Sequence, residues 1–139
     1  MKVLIATLTI SFTSLSLFAD RTIPTTPQEL TERVELAFAN ADEEIDVIVA
    51  IPDNQRTFEN TVGALDDMMA RLDEASNLAV FMSYVHPDAA IREAAQGGEQ
   101  LWSDWSIDLS KNEALYNAVK TYADSNPELT GEQARMLEH

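Results

Sequence analysis

Imidazole titrates near neutral pH and is the side chain most often used to move protons. This chain has two, His86 and His139. His86 stands immediately before Pro87, with Ser83 and Asp88 close by in sequence. Those three types could supply a nucleophile, its base and the group that orients the base. Their spacing does not spell out such an arrangement, and a turn or capping role for His86 is the simpler expectation.

Carboxylates come next, because a cluster of them can hold Ca²⁺. Asp42, Glu43, Glu44 and Asp46 crowd together, as do Asp66-Asp67 and Asp73-Glu74. A calcium loop also supplies backbone oxygens, and runs of this kind on helices are ordinarily solvated faces. The segment Asp53-Asn54-Gln55 is too short, without the Gly and Glu spacing of a calcium loop. Trp102, Trp105, Tyr116 and Tyr122 could form an aromatic platform for a ligand. Their helical spacing instead predicts core packing, with any buried indole N–H finding an acceptor. Met68, Met69 and Met82 read as flexible core fillers. No residue earns a catalytic, cofactor-binding or metal-binding role, and the absence of cysteine removes thiolate chemistry, disulfides and Cys-based metal sites.

The elements that would position these groups are helices. In 139 residues, 45% are hydrophobic and 24% charged, enough apolar material for a core. Acidic residues outnumber basic ones 24 to 9, for a formal net charge of −15. A surface of that sign repels phosphate backbones and anionic lipid, which argues against a nucleic-acid partner.

From Thr26 onward, start signals recur. Thr26-Pro27-Gln28-Glu29 is a capping box with proline at the first helical position. It opens a helix expected to reach about Val49 and to stop before Pro52, with core stripe Leu30, Val34, Ala37, Ala41, Ile45 and Ile48. Thr57 opens a second helix ending near Tyr84, about 40 Å long at 1.5 Å per residue. Its seam is Phe58, Val62, Leu65, Met69, Leu72 and Ala79. Pro87-Asp88 starts a third helix carrying Ile91, Ala94, Ala95, Leu101, Trp102, Trp105 and Leu109. Gly97-Gly98 in its middle requires either a bend or the close approach of another backbone. Ser110-Lys111-Asn112-Glu113 reads as a capping box for a fourth helix with Leu115, Tyr116, Val119 and Tyr122. That helix stops before Pro127, and Thr130-Gly131-Glu132-Gln133 begins a fifth, whose apolar stripe (Ala134, Met136, Leu137) reads as unfinished at His139. Short connections favour antiparallel neighbours, and the fold class is all-α.

The first residues differ in kind. Met1 and Lys2 precede an uncharged stretch, positions 3–19, that closes on Ala19 before Asp20-Arg21. One cation, an apolar middle and a small residue describe a secretory signal peptide over 1–19. Its serines and threonines make it too polar, and its length too short, for a membrane span. Leu8, Ile10 and Phe12 alternate with Thr and Ser, which is also the period of a strand. With the leader real, residues 20–139 are exported, periplasmic or secreted, and have no stable membrane span once it is removed; otherwise the protein is cytoplasmic.

Three stretches carry a resemblance. They are Arg56-Thr-Phe-Glu-Asn-Thr-Val62 followed by Ala64-Leu65, Tyr84-Val-His-Pro-Asp88 to Ile91-Arg92-Glu93-Ala94, and Asn112-Glu-Ala-Leu-Tyr116. With the segment from Leu129 to Leu137, in this order and spacing, they resemble the N-terminal region of the thimet oligopeptidase, oligopeptidase A and dipeptidyl carboxypeptidase family of zinc metallopeptidases. The resemblance implies a large helical enzyme in which two lobes flank a channel that admits short peptides. Zinc would be bound further along the chain by a His-Glu-x-x-His helix and a downstream Glu, activating water with the motif Glu as general base.

Neither His86 nor His139 begins such a motif. The resemblance therefore makes residues 20–139 a helical N-terminal lobe, truncated, that contributes channel wall without catalytic residues and without a zinc ion of its own. It is expected to be inactive on short peptides alone, its partner being the missing C-terminal catalytic region. The alternative is a free-standing acidic helical binding module with no enzymatic activity.

Overall fold

Thr26 begins the first helix as its sequence requires. Its Oγ1 accepts the Glu29 N–H at 3.1 Å, and Pro27 occupies the first turn, where the N–H that proline lacks has no helical acceptor. The Glu29 carboxylate reaches back one residue further than a capping box needs, accepting the Thr25 N–H at 2.9 Å. The computed structural model describes residues 23–137, so the leader expected over 1–19, and His139, lie outside the described residues.

The helices are α1 (Pro27–Ala50), α2 (Ala64–Val85), α3 (Ala89–Ser110), α4 (Glu113–Asp124) and α5 (Gly131–Leu137), with a 3₁₀ turn at Asp53–Gln55 and a π-helical turn at Glu59–Gly63. The protein is all-α, with no strand among the described residues. α1, α2 and α3 pack on one another pairwise, and α4 lies against α1 and the π turn.

Each helix turns one apolar stripe to the shared core. α1 buries Leu30, Val34, Phe38, Ala41, Ile45 and Ile48. Phe38, rather than Ala37, completes that stripe; Ala37 is partly buried at its edge. α2 buries Met68, Leu72, Ala79 and Met82, and α3 buries Ile91, Ala95 and Gly98. Burial of a large aliphatic side chain is worth about 1.5–3 kcal/mol, so these stripes dominate what holds the bundle together.

The second helix is preceded by a π turn, and its seam departs from expectation at Leu65 and Met69 while keeping Val62, Leu72 and Ala79. Gly63 donates to the Phe58 carbonyl at 2.8 Å, five residues back, so the turn contains one residue more than an α-turn. Leu65 and Met69, expected at the centre, are left partly buried at its edge, while Met68 is only 2% exposed.

At the glycine pair there is no bend, and what packs closely is side chains rather than another backbone. α3 runs unbroken through both residues. Gly98 is buried against Val34 of α1 and Ala79 of α2, whereas a Cβ on Gly97 would meet open space. A second correction concerns the start of α4. Asn112, not Ser110, is its N-cap, its Oδ1 accepting the Leu115 N–H at 2.9 Å. Ser110 still belongs to α3, and its hydroxyl donates to the Ile107 carbonyl. Asn126 closes the end of α4 at φ 51°, a left-handed conformation that asparagine tolerates, directly before Pro127.

Candidate functional site

The residues that could have done chemistry are dispersed. Nδ1 of His86, partly buried, accepts the Asp88 N–H at 3.1 Å, and Asp88 Oδ1 accepts the Ala90 N–H at 2.8 Å as the N-cap of α3. Arg92 closes the same turn by donating to the carbonyls of His86 and Pro87 at 2.5 and 2.9 Å. His86 therefore organises a helix junction. Ser83, buried on α2, contacts the carboxylate of Glu99 at 2.5 Å and the Val80 carbonyl at 2.8 Å, tying α2 to α3. The three candidate residues form no catalytic relay.

The carboxylate clusters are solvated faces with two structural exceptions. Asp66, Asp67, Asp73, Glu74, Asp42, Glu43 and Asp46 are exposed. Glu44 pairs with Arg71, joining α1 to α2. Asp42 accepts the indole N–H of Trp105 at 2.7 Å, joining α1 to α3. Asp53, in the 3₁₀ turn, accepts from Arg56 at 3.2 Å. Asp42, Asp46 and Asp108 line a shallow cleft of about 260 Å³ with Ile45, Trp105, Leu109 and Asn112.

A zinc centre needs three or four converging ligands. Among the described residues no three of His, Asp and Glu come together in a way that could hold a metal ion. The residues present do not fit zinc.

The four large aromatics separate into different environments. Trp102 and Trp105 stack obliquely with each other and with Phe38, ring centroids 5.7 to 6.3 Å apart, and pack against the core. Tyr122 is 5% exposed on α4, and its burial, followed by the charge of Glu59, raises its phenol pKa above the ordinary value. Tyr116 is 66% exposed on the same helix. No common platform exists. Of the methionines, Met68 and Met82 are core and Met69 packs at its edge.

What the structure does concentrate is polar bonding at the joints. Arg56, with a side chain only 4% exposed, donates to the Ile48 and Val49 carbonyls at 2.9 and 3.2 Å, capping the end of α1. Thr57 and Asn60 exchange reciprocal bonds: the Thr57 N–H donates to Asn60 Oδ1 at 2.8 Å, and the Asn60 N–H to Thr57 Oγ1 at 3.2 Å. Asn60 Nδ2 also donates to the Gln55 carbonyl, and buried Thr61 donates to Asn60 Oδ1. All three stretches that carried the family resemblance are joints of this kind, and the start of α5 repeats it, Thr130 and Gln133 capping each other. The sequence marks the caps at Thr26, Asp88 and Thr130 but not the role of Arg56; a lone arginine following a helix-stopping proline was the available signal.

A further feature lies on the outer side of α2. Phe81, Tyr84 and Val85 are 62%, 78% and 55% exposed, on the side of the helix turned away from buried Ala79 and Met82. Among the described residues no helix is long and apolar enough to cross a membrane.

No family model matches the chain. It is 27% identical over 119 residues to a thimet-like oligopeptidase of Dictyostelium discoideum, an alignment covering 82% of this chain and 18% of that protein. Most of this chain is thus similar to a small part of a much longer protein with a peptidase name.

Proposed function

We propose that this chain is a helical lobe of a longer zinc-dependent oligopeptidase, where it builds part of a channel wall for short peptides and supplies no catalytic group. The observation that carries this reading is the likeness of most of the chain to 18% of a thimet-like oligopeptidase. The geometry is consistent with it. The polar residues that could have done chemistry form joints between helices or solvated faces. Zinc and the groups that activate water belong, on this reading, to another part of the polypeptide. On this reading the leader-like residues 1–19 direct export; a mature N-terminus at Asp20, found by sequencing, would support it, and an intact Met1 would favour a cytoplasmic enzyme.

The test is hydrolysis of internally quenched short peptides by the product of the complete reading frame and by the 139-residue chain. The long product should cleave them, lose activity to a chelator and regain it with zinc, while the short chain cleaves nothing. Hydrolysis by the short chain would overturn the reading, and an inert long product would overturn it in favour of an acidic binding module.

A further inference from the structure

The strip formed by Phe81, Tyr84 and Val85 lies at i, i+3 and i+4, so the three side chains share one face of α2. Val80, 40% exposed, borders it. The opposite face of the same helix buries Ala79, Met82 and Ser83. A helix apolar on two sides is made to sit between two layers, and α1 and α3 provide only one.

Charge makes the strip unlike the rest of the surface. Positions 75–87 contain no Asp, Glu, Lys or Arg, although 24% of the chain is charged. It is the longest uncharged run among the described residues, and it coincides with the most exposed apolar side chains on α2. Desolvating such a face strips water from no ion, which is the condition for burying it in an interface.

We propose that this strip is an interaction surface whose occupant is an uncharged, apolar element from the remainder of the same polypeptide. The inference rests on the reading of the chain as one lobe of a longer hydrolase, and three observations select that occupant. A second copy would bring another chain of formal net charge −15 alongside this one, and the same net charge opposes an anionic lipid surface. The strip offers on the order of 400 Å² of apolar surface, about half the ~800 Å² per partner of a stable interface between separate molecules. A tethered partner avoids most of the association entropy, so a patch this small suffices when its occupant is covalently linked. Finally, the peptidase relative extends far beyond the part that this chain matches.

The chain contains no cysteine, so one introduced thiol is unique within it. Tyr84→Cys and, as a solvent-exposed control on α1, Glu43→Cys would each be made in the product of the complete reading frame. Maleimide labelling of the native protein would be timed by peptide mass mapping, with Val85→Cys standing in should Tyr84 prove necessary for folding. The expected result is labelling at position 84 at least tenfold slower than at position 43, in a protein that sediments as a monomer. Equal rates overturn the proposal. So does protection that disappears when a dimer is diluted to monomer, or a reading frame that closes after codon 139. Peptide hydrolysis by the unsubstituted protein separates the two readings. An inert protein with position 84 protected counts against the hydrolase alone, and an active one with position 84 freely labelled counts against this surface alone.

Discussion

Gly98 and Ala79 meet where α3 crosses α2: a Cβ added to the glycine would stand 3.2 Å from that of the alanine and 3.4 Å from Val34 Cγ1. Neighbouring Gly97 would meet nothing within 4 Å. Gly97→Ala should therefore stabilise the protein by about 0.5–1 kcal/mol through helix propensity alone. Gly98→Ala gains the same propensity and loses it to overpacking, ending at least ~1 kcal/mol less stable than Gly97→Ala, and Gly98→Leu should cost about 3 kcal/mol. Urea unfolding of the three variants checks the order.

Arg56→Ala leaves the last carbonyls of α1 without their buried, charged donor. A loss of about 2–3 kcal/mol is expected, with an unchanged denaturant slope. Arg56→Lys should recover less than half of it, because an ammonium cannot reproduce a planar fork that reaches two carbonyls and Asp53 together.

The bond between Trp105 and Asp42 crosses from α3 to α1 over 63 positions of sequence. Trp105→Phe keeps a ring beside Phe38 and removes the N–H, at an expected cost of about 1 kcal/mol. Asp42→Asn keeps an acceptor and should cost less. A double-mutant cycle between Trp105→Phe and Asp42→Ala should return a coupling of about 0.5–1.5 kcal/mol. Additivity within error would show that the bond contributes nothing.

Tyr122 makes part of the stability depend on alkaline pH. Its folded-state phenol pKa is raised by burial and by Glu59, so the folded protein holds this proton more tightly than the unfolded chain does. The associated stability is complete below the unfolded value near 10 and is lost as pH climbs from there through the folded value. Tyr122→Phe removes the titrating group. The variant's melting temperature should fall less than that of the unsubstituted protein between about pH 9 and 11.

Much of this architecture is written locally. Thr26, Asp88 and Thr130 announce helix starts because each places a short oxygen-bearing side chain within reach of amides that lack a helical partner. The apolar period of α1 follows directly from its sequence, apart from the choice of Phe38 over Ala37. What is not legible depends on contacts distant in sequence or on one residue of slippage. Neither the π turn at Glu59–Gly63 nor the burial of Met68 in place of Met69 has a mark in the sequence. Ser110 and Asn112 are equally good caps on paper, and only the point where α3 ends selects between them. The glycine pair declares a close approach without saying which glycine makes it or against what. The chemical reading of His86 gives way for a physical reason: its Nδ1 is engaged by the Asp88 amide, and the turn leaves Ser83 facing Glu99 instead.

The joints carry one consequence for how such proteins are traced across genomes. The polar bonds that close the stretches from Arg56, from Tyr84 and from Asn112 are made within the chain, and none of those bonds needs a substrate to justify it. Any chain that reverses direction in this way needs such bonds, whether or not it does chemistry. Kinship detected through these segments follows descent of a scaffold, and a working enzyme and its inert paralogue share it equally.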